Sequence, residues 1–184
     1  EYEDAALYDR GWAFYHMARY NEAISSFEDL LAVSDDALKR DRSMFQMGES
    51  YILLGKNDEA RAEYGHLVEQ YDFTELSNRE LLQMKAQRLR GLVKETTREL
   101  VAKAQIRIAD SYASEGRVSE AIDAYSKVPT NYPQETLIVQ KSYDNMATMV
   151  LEQQGVDPGV RILRQAIEQV DDTYFRGRAQ LRIA

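Results

Sequence analysis

Met44 to Tyr71 reads MFQMGESYILLGKNDEARAEYGHLVEQY, two helical patterns joined by a turn. Met44, Met47, Tyr51 and Leu54 recur at steps of three and four, which places them on one apolar stripe of a helix. Gly48 lies on the same stripe. A glycine inside a helix costs about 1 kcal/mol against alanine, so it belongs where a neighbouring helix comes very close. Gly55 supplies the left-handed residue that commonly ends a helix. Asn57 or Asp58 is expected to cap the second helix, with Glu59 in its first turn. Ala60, Tyr64, Leu67 and Val68 form the second stripe, small Ala60 facing small Gly48. Each helix is too short to stand alone in water. The hairpin therefore needs another hairpin to cover its apolar face.

Working outward, the same pattern returns. Leu7, Gly11, Phe14, Ala23 and Phe27 precede Met44, Gly48, Tyr51, Ala60 and Tyr64 by a constant interval, with Arg10 as a polar departure. After Tyr71 the period breaks. Ile108, Ala109, Tyr112, Gly116, Ala121 and Tyr125 restore it after an offset of one repeat plus an extra helix. The insert, Ser77 to Lys94, carries Leu81, Leu82, Leu89, Leu92 and Val93 among basic residues and reads as amphipathic helix. Thr96-Thr97-Arg98-Glu99 has the form of a capping box. It predicts a break and then a long helix from about 97 to 115; one continuous helix through Gly91 is the alternative. Pro129 and Pro133 close the third copy. A degenerate fourth copy is read from Thr148, Leu151, Gly155, Val160 and Ile167, with Asp144 and Arg164 replacing large apolar residues. Asp157-Pro158 suits the start of its second helix, since proline is welcome in a first turn. Ala179 to Ala184 (AQLRIA) nearly repeats Ala104 to Ala109 (AQIRIA), so a fifth copy begins and the chain reads as a fragment of a longer protein.

This recurrence resembles the tetratricopeptide repeat (TPR), whose pattern is a large apolar residue, Leu-Gly, a Tyr three residues on, and later Ala-x-x-x-Phe and Pro. Met44, Met47-Gly48, Tyr51, Ala60 and Tyr64 carry the likeness. The resemblance implies an all-α, right-handed α-α superhelix (TPR solenoid) of about four helical hairpins with one inserted helix. Repeats are expected at about 4–37, 41–74, 102–135 and 141–174, the insert at about 77–95 and a truncated repeat from about 177.

Composition narrows the function. Hydrophobic content of 44% over 184 residues supports a core, and three prolines and nine glycines speak against a β-rich or loop-rich chain. A net charge of −8 speaks against general nucleic-acid binding, which wants a basic face. There is no cysteine, so disulfides, thiol catalysis and Cys-based metal sites are excluded. No apolar run reaches the roughly 20 residues that span a bilayer. His16 and His66 fall in different repeats without a metal-ligand spacing, and no phosphate loop or nucleophile elbow is present. Asp35-Asp36 and Asp171-Asp172 read as solvated turns. The chain is read as no enzyme, with no cofactor and no metal.

What remains is binding. The family turns the inner face of each first helix into a concave groove, and the resemblance places particular residues there. They are Tyr8, Trp12, Tyr15 and His16; Phe45, Glu49, Ile52 and Leu53; Lys103, Ile106, Arg107, Asp110 and Ala113; and Asn145, Met149, Glu152 and Gln153. Trp12, the single tryptophan, is the leading anchor with Tyr8 and Phe45. The alternative is that Tyr8, Trp12 and Tyr15 cover the next helix or pack against further repeats. Lys103 and Arg107 match two positions of the family's carboxylate clamp, but Tyr8 and Trp12 stand where its Lys and Asn would be, which speaks against a chaperone-tail clamp. Arg79, Lys85, Arg88, Arg90 and Lys94 make the insert locally basic, a docking face for an acidic partner or a solvated helix face.

The expected function is a non-catalytic protein–protein interaction scaffold holding a peptide or helix of a partner in the groove. Two alternatives stand beside it. Tyr132-Pro133 resembles bacterial envelope TPR proteins, BamD-like or Tol–Pal-associated, which would make the chain a periplasmic assembly adaptor. End-to-end stacking would make it a self-assembling structural solenoid. Partners are thus protein or peptide, with self-association open and no nucleic acid or membrane span; cytoplasm and periplasm fit the composition equally.

Overall fold

A computed structural model describes residues 2–71 and 97–184. Among these residues the chain is all-α, with nine helices and no strand. They are α1 (Tyr2–His16), α2 (Tyr20–Val33), α3 (Ala37–Leu53), α4 (Asn57–Glu69), α5 (Thr97–Ser114), α6 (Val118–Asn131), α7 (Thr136–Gln154), α8 (Val156–Gln169) and α9 (Thr173–Ile183). The chain divides into two compact units, Glu1–Ile108 and Ala109–Ala184. The inserted helix expected at about 77–95, with its basic side chains, lies outside the described residues. The helix expected from about 97 is α5.

The first unit shows why the hairpins form. A β-carbon at Gly11 would stand 2.5 Å from the Phe27 ring, and one at Gly48 would stand 2.4 Å from the Tyr64 ring. Each glycine is the notch into which the ring of the second helix fits. Ala23 and Phe27, Ala60 and Tyr64, Leu30 and Leu67 are fully buried. Met47 joins Ala23, Ile24 and Phe27 in one cluster, so the second hairpin covers the first as the apolar stripes require. Arg10, the polar departure, donates to Ser26 Oγ at 2.9 Å and pairs with Asp29 at 2.6 Å at the surface.

The turns share one geometry. Ala18, Gly55 and Gly116 have φ of 58°, 72° and 72°, and the next residue's N–H returns to the carbonyl of Phe14, Tyr51 or Tyr112. That next residue also lays its cation on the same ring: Arg19 on Phe14 at 4.5 Å, Lys56 on Tyr51 at 6.0 Å and Arg117 on Tyr112 at 4.5 Å. The expected side-chain cap at Asn57 or Asp58 does not form. Lys56 holds the N-cap position without a side-chain bond, because the tight turn places its backbone there and uses its ammonium on Tyr51. Carboxylates do cap elsewhere: Asp36 accepts from Lys39 N at 3.1 Å and Asp172 from Phe175 N at 2.6 Å. Pro129 lies inside α6 rather than beyond it.

In the second unit, Ala109, Ala121 and Tyr125 repeat the notch and ring. The fourth copy has a different register from the sequence reading. Ala147, Gly159 and Leu163 are the buried notch, facing residue and apolar plug, whereas Thr148 is exposed and Val160 and Ile167 only half-buried. Gly155 misleads because it is reached one residue later than Gly55 or Gly116 and serves as both C-cap of α7 and N-cap of α8 (φ 93°). Pro158 sits in the first turn of α8, as expected. In this register Tyr143 and Leu163 fill the large apolar positions, both buried, so Asp144 and Arg164 are not substitutions in the core. Asp144 pairs instead with Arg178 at 2.6 Å and Arg182 at 3.1 Å of α9.

Candidate functional site

The residue that follows each notch is Trp12, Glu49, Asp110 and Thr148 in successive copies; it is one of the first-helix positions that the family resemblance expects to face a ligand. The structure makes two kinds of face from this one position.

In the second copy the face is polar and internally tied. The buried Tyr64 hydroxyl donates to Glu49 Oε1 at 2.6 Å. Arg107 of α5 then grips the same carboxylate with Nε at 2.7 Å and Nη2 at 3.0 Å, a bidentate pair. Burial, and next the Glu49 charge, pushes the Tyr64 pKa far above the usual phenol range, so the hydroxyl stays a donor. In the third copy the Tyr125 hydroxyl donates to Asp110 Oδ1 at 2.5 Å, and Lys141 meets Oδ2 at 2.8 Å. Asn145 Nδ2 donates to the Tyr125 hydroxyl at 2.9 Å and to Asp110 at 3.3 Å. Burial leads again in raising the Tyr125 pKa. In the fourth copy Arg182 Nη2 donates to Thr148 Oγ1 at 3.0 Å. Arg107, Asn145 and Arg182 each stand two residues before the next notch position, so one rung recurs: this residue reaches back to the residue after the previous notch.

The first copy breaks the rule. Phe27 has no hydroxyl to satisfy, and Trp12 stands where the carboxylate would be. Gln46, at the position of Arg107 and Asn145, lies beside Tyr15 instead. Burial is the main cause that raises the Tyr15 pKa. The rings form a chain along α1. Trp12 lies edge-on to Tyr8 at 6.3 Å and to Tyr15 at 5.9 Å, and stacks with His16 at 5.5 Å. Tyr8, Trp12 and Tyr15 are half-buried against the Phe27 cluster, and His16 is exposed.

The predicted groove residues therefore part ways. Tyr8, Trp12, Tyr15 and His16 come together. Glu49 with Arg107, and Asp110 with Asn145, come together as internal rungs. Lys103 pairs with Glu99 at 3.3 Å. Phe45 rests on Tyr64 at 5.5 Å, and Ile106 is buried at 3% exposure. Ile52 and Met149 are half-buried without a place in either set. With the fourth register moved by one, Thr148 takes the place given to Met149. The sequence reading missed Tyr64 and Tyr125 as donors, and Lys141, Thr148 and Arg182 as rung members. A signal was present: Tyr accompanies a carboxylate, whereas Phe27 and Leu163 accompany Trp12 and Thr148. No cluster of His, Asp or Glu able to hold a metal occurs among the described residues. None of their helices is long and apolar enough to cross a membrane.

The tetratricopeptide repeat profile matches residues 5–34, 42–74 and 103–135. No curated protein matches the chain by sequence. Two crystal structures of a putative kinesin light chain from Podosopora anserina, with nearly identical TPR-like repeats, are similar to it at TM-scores of 0.53 and 0.52. Identity is 15% in both, covering 100% and 97% of this chain and 85% and 82% of those chains, so the likeness is one of fold.

Proposed function

Because the chain belongs to the tetratricopeptide repeat family, we propose that it is a non-catalytic scaffold that holds a peptide or helix of a partner protein on its first-helix faces. One observation carries this reading. The groove-side positions of the second, third and fourth copies are committed to rungs within the chain, whereas the first copy presents half-exposed rings at the same position. Rigid aromatic side chains lose little freedom on contact and are the usual anchors of protein interfaces. Tyr8, Trp12 and Tyr15 are the anchors, with His16 at the rim. Glu49, Arg107, Asp110 and Asn145 set the shape of the platform rather than reach for the ligand.

Selection from a displayed peptide library tests it. The wild-type chain should enrich a sequence motif, and Trp12→Ala should lose it while keeping its helical circular dichroism. Enrichment unchanged in Trp12→Ala, or no enrichment at all, would overturn the reading.

A further inference from the structure

We infer that the Trp12 platform receives a cationic side chain, and that the partner segment is therefore basic, rich in arginine or lysine. The inference rests on the scaffold reading and narrows it to a ligand chemistry. Its first ground is internal precedent. At the turn of each of the first three copies the chain covers its own ring with its own cation, on Phe14, Tyr51 and Tyr112. Tryptophan is the strongest acceptor for such contacts. Yet among the described residues no cation of this chain lies over Trp12, Tyr8 or Tyr15, though three rings and His16 converge there.

The second ground is charge. The cations of the first hairpin are already committed, Arg10 to Asp29 and Arg19 to Glu22 and the Phe14 ring, and on α3 Lys39 pairs with Asp4. An acidic segment would find none of them free. Asp9 is exposed, three residues before Trp12 on the same helix, and makes no ion pair among the described residues. A guanidinium stacked on Trp12 would have that carboxylate within one helical turn. The net charge of −8 draws such a segment in from a distance. A neutral apolar segment would gain from the rings alone but nothing from Asp9, so the basic ligand is the better fit.

Trp12 is the chain's single tryptophan, so its emission reports this site alone. Titration with a hexa-arginine peptide should change that emission saturably, while hexaglutamate and hexaglycine should not. By calorimetry, Trp12→Leu should weaken hexa-arginine binding about tenfold, and Trp12→Phe, which keeps a ring, should weaken it less. Asp9→Asn should weaken it with the tryptophan still in place, which keeps the inference testable if Trp12→Leu fails to fold. Equal or tighter binding of hexaglutamate overturns it. So does hexa-arginine binding that is unchanged in Trp12→Leu, because bulk charge alone would then explain the affinity. If library selection enriches a Trp12-dependent motif without Arg or Lys, the scaffold reading stands and this inference falls.

Discussion

The first and second hairpins share a notch, a ring and a turn, and differ at one pair of positions. In the second, Tyr64 offers a buried hydroxyl and Glu49 accepts it, and Arg107 completes a rung within the chain. In the first, Phe27 offers nothing and Trp12 takes the carboxylate's place. The hydroxyl is the deciding atom. A buried donor must be satisfied, so a tyrosine at the plug demands an acceptor at the residue after the notch, and that acceptor then draws in the next repeat's Arg or Asn. A phenylalanine makes no demand, and the same position is left open to an indole, which packs against the Phe27 cluster. The residue after each notch is thus chosen by a chemical need that arises in the core.

The largest effect should come from taking away the shared acceptor. Glu49→Leu leaves the Tyr64 hydroxyl buried without a partner and removes the bidentate site of Arg107. We expect a loss of about 3 kcal/mol in urea denaturation, since each stranded buried polar group costs about 1–3 kcal/mol. Trp12→Leu should cost less stability than this, because Trp12 is half-exposed, while costing more in binding. The opposite ranking would mean that the aromatic face is structural and the polar face is the site.

A smaller effect should follow from exchanging the plugs. Tyr64→Phe removes one hydrogen bond to a charged acceptor and should cost about 2 kcal/mol. Phe27→Tyr should also cost about 2 kcal/mol, for the reverse reason: it buries a hydroxyl facing an indole. Adding Trp12→Glu to Phe27→Tyr rebuilds the polar pair of the second hairpin in the first. The double variant should be more stable than the two single losses sum to, by about 1–2 kcal/mol of coupling in a double-mutant cycle. Additive losses would show that the hydroxyl does not decide the face.

Much of this was legible in the sequence, and the reason is locality. Notch, ring and left-handed turn are set by neighbours within one hairpin, so Gly48, Tyr64 and Gly55 announce them by type and spacing. The rungs are different. Glu49 meets Tyr64 across 15 residues but Arg107 across 58, with the insert between, and no local pattern signals a contact at that distance. Read from the family's groove alone, Glu49 and Arg107 look like ligand contacts, and only the fold shows that they hold each other. The fourth copy was misplaced by one residue because a glycine marks a turn without stating where in the turn it sits, and Gly155 sits later than Gly55.

The smallest effect concerns the turn, where the first hairpin departs again. Ala18 adopts φ of 58° at the position that Gly55 and Gly116 occupy with φ of 72°. A side chain in the left-handed region costs about 1–2 kcal/mol, and glycine returns part of that gain through the greater freedom of its unfolded chain, about 0.5–1 kcal/mol. Ala18→Gly should therefore stabilise the protein by about 0.5–1 kcal/mol. Gly55→Ala should destabilise it by a similar amount, since nothing lies within 4 Å of the β-carbon it would add and the backbone alone sets the cost. Because Arg19 and Lys56 keep their N–H bonds and ring contacts in either variant, equal and opposite shifts isolate the torsional term. Should Ala18→Gly instead destabilise, the alanine methyl must be making a packing contact that outweighs the strain, and the first turn would be a specialised element like the aromatic face beside it.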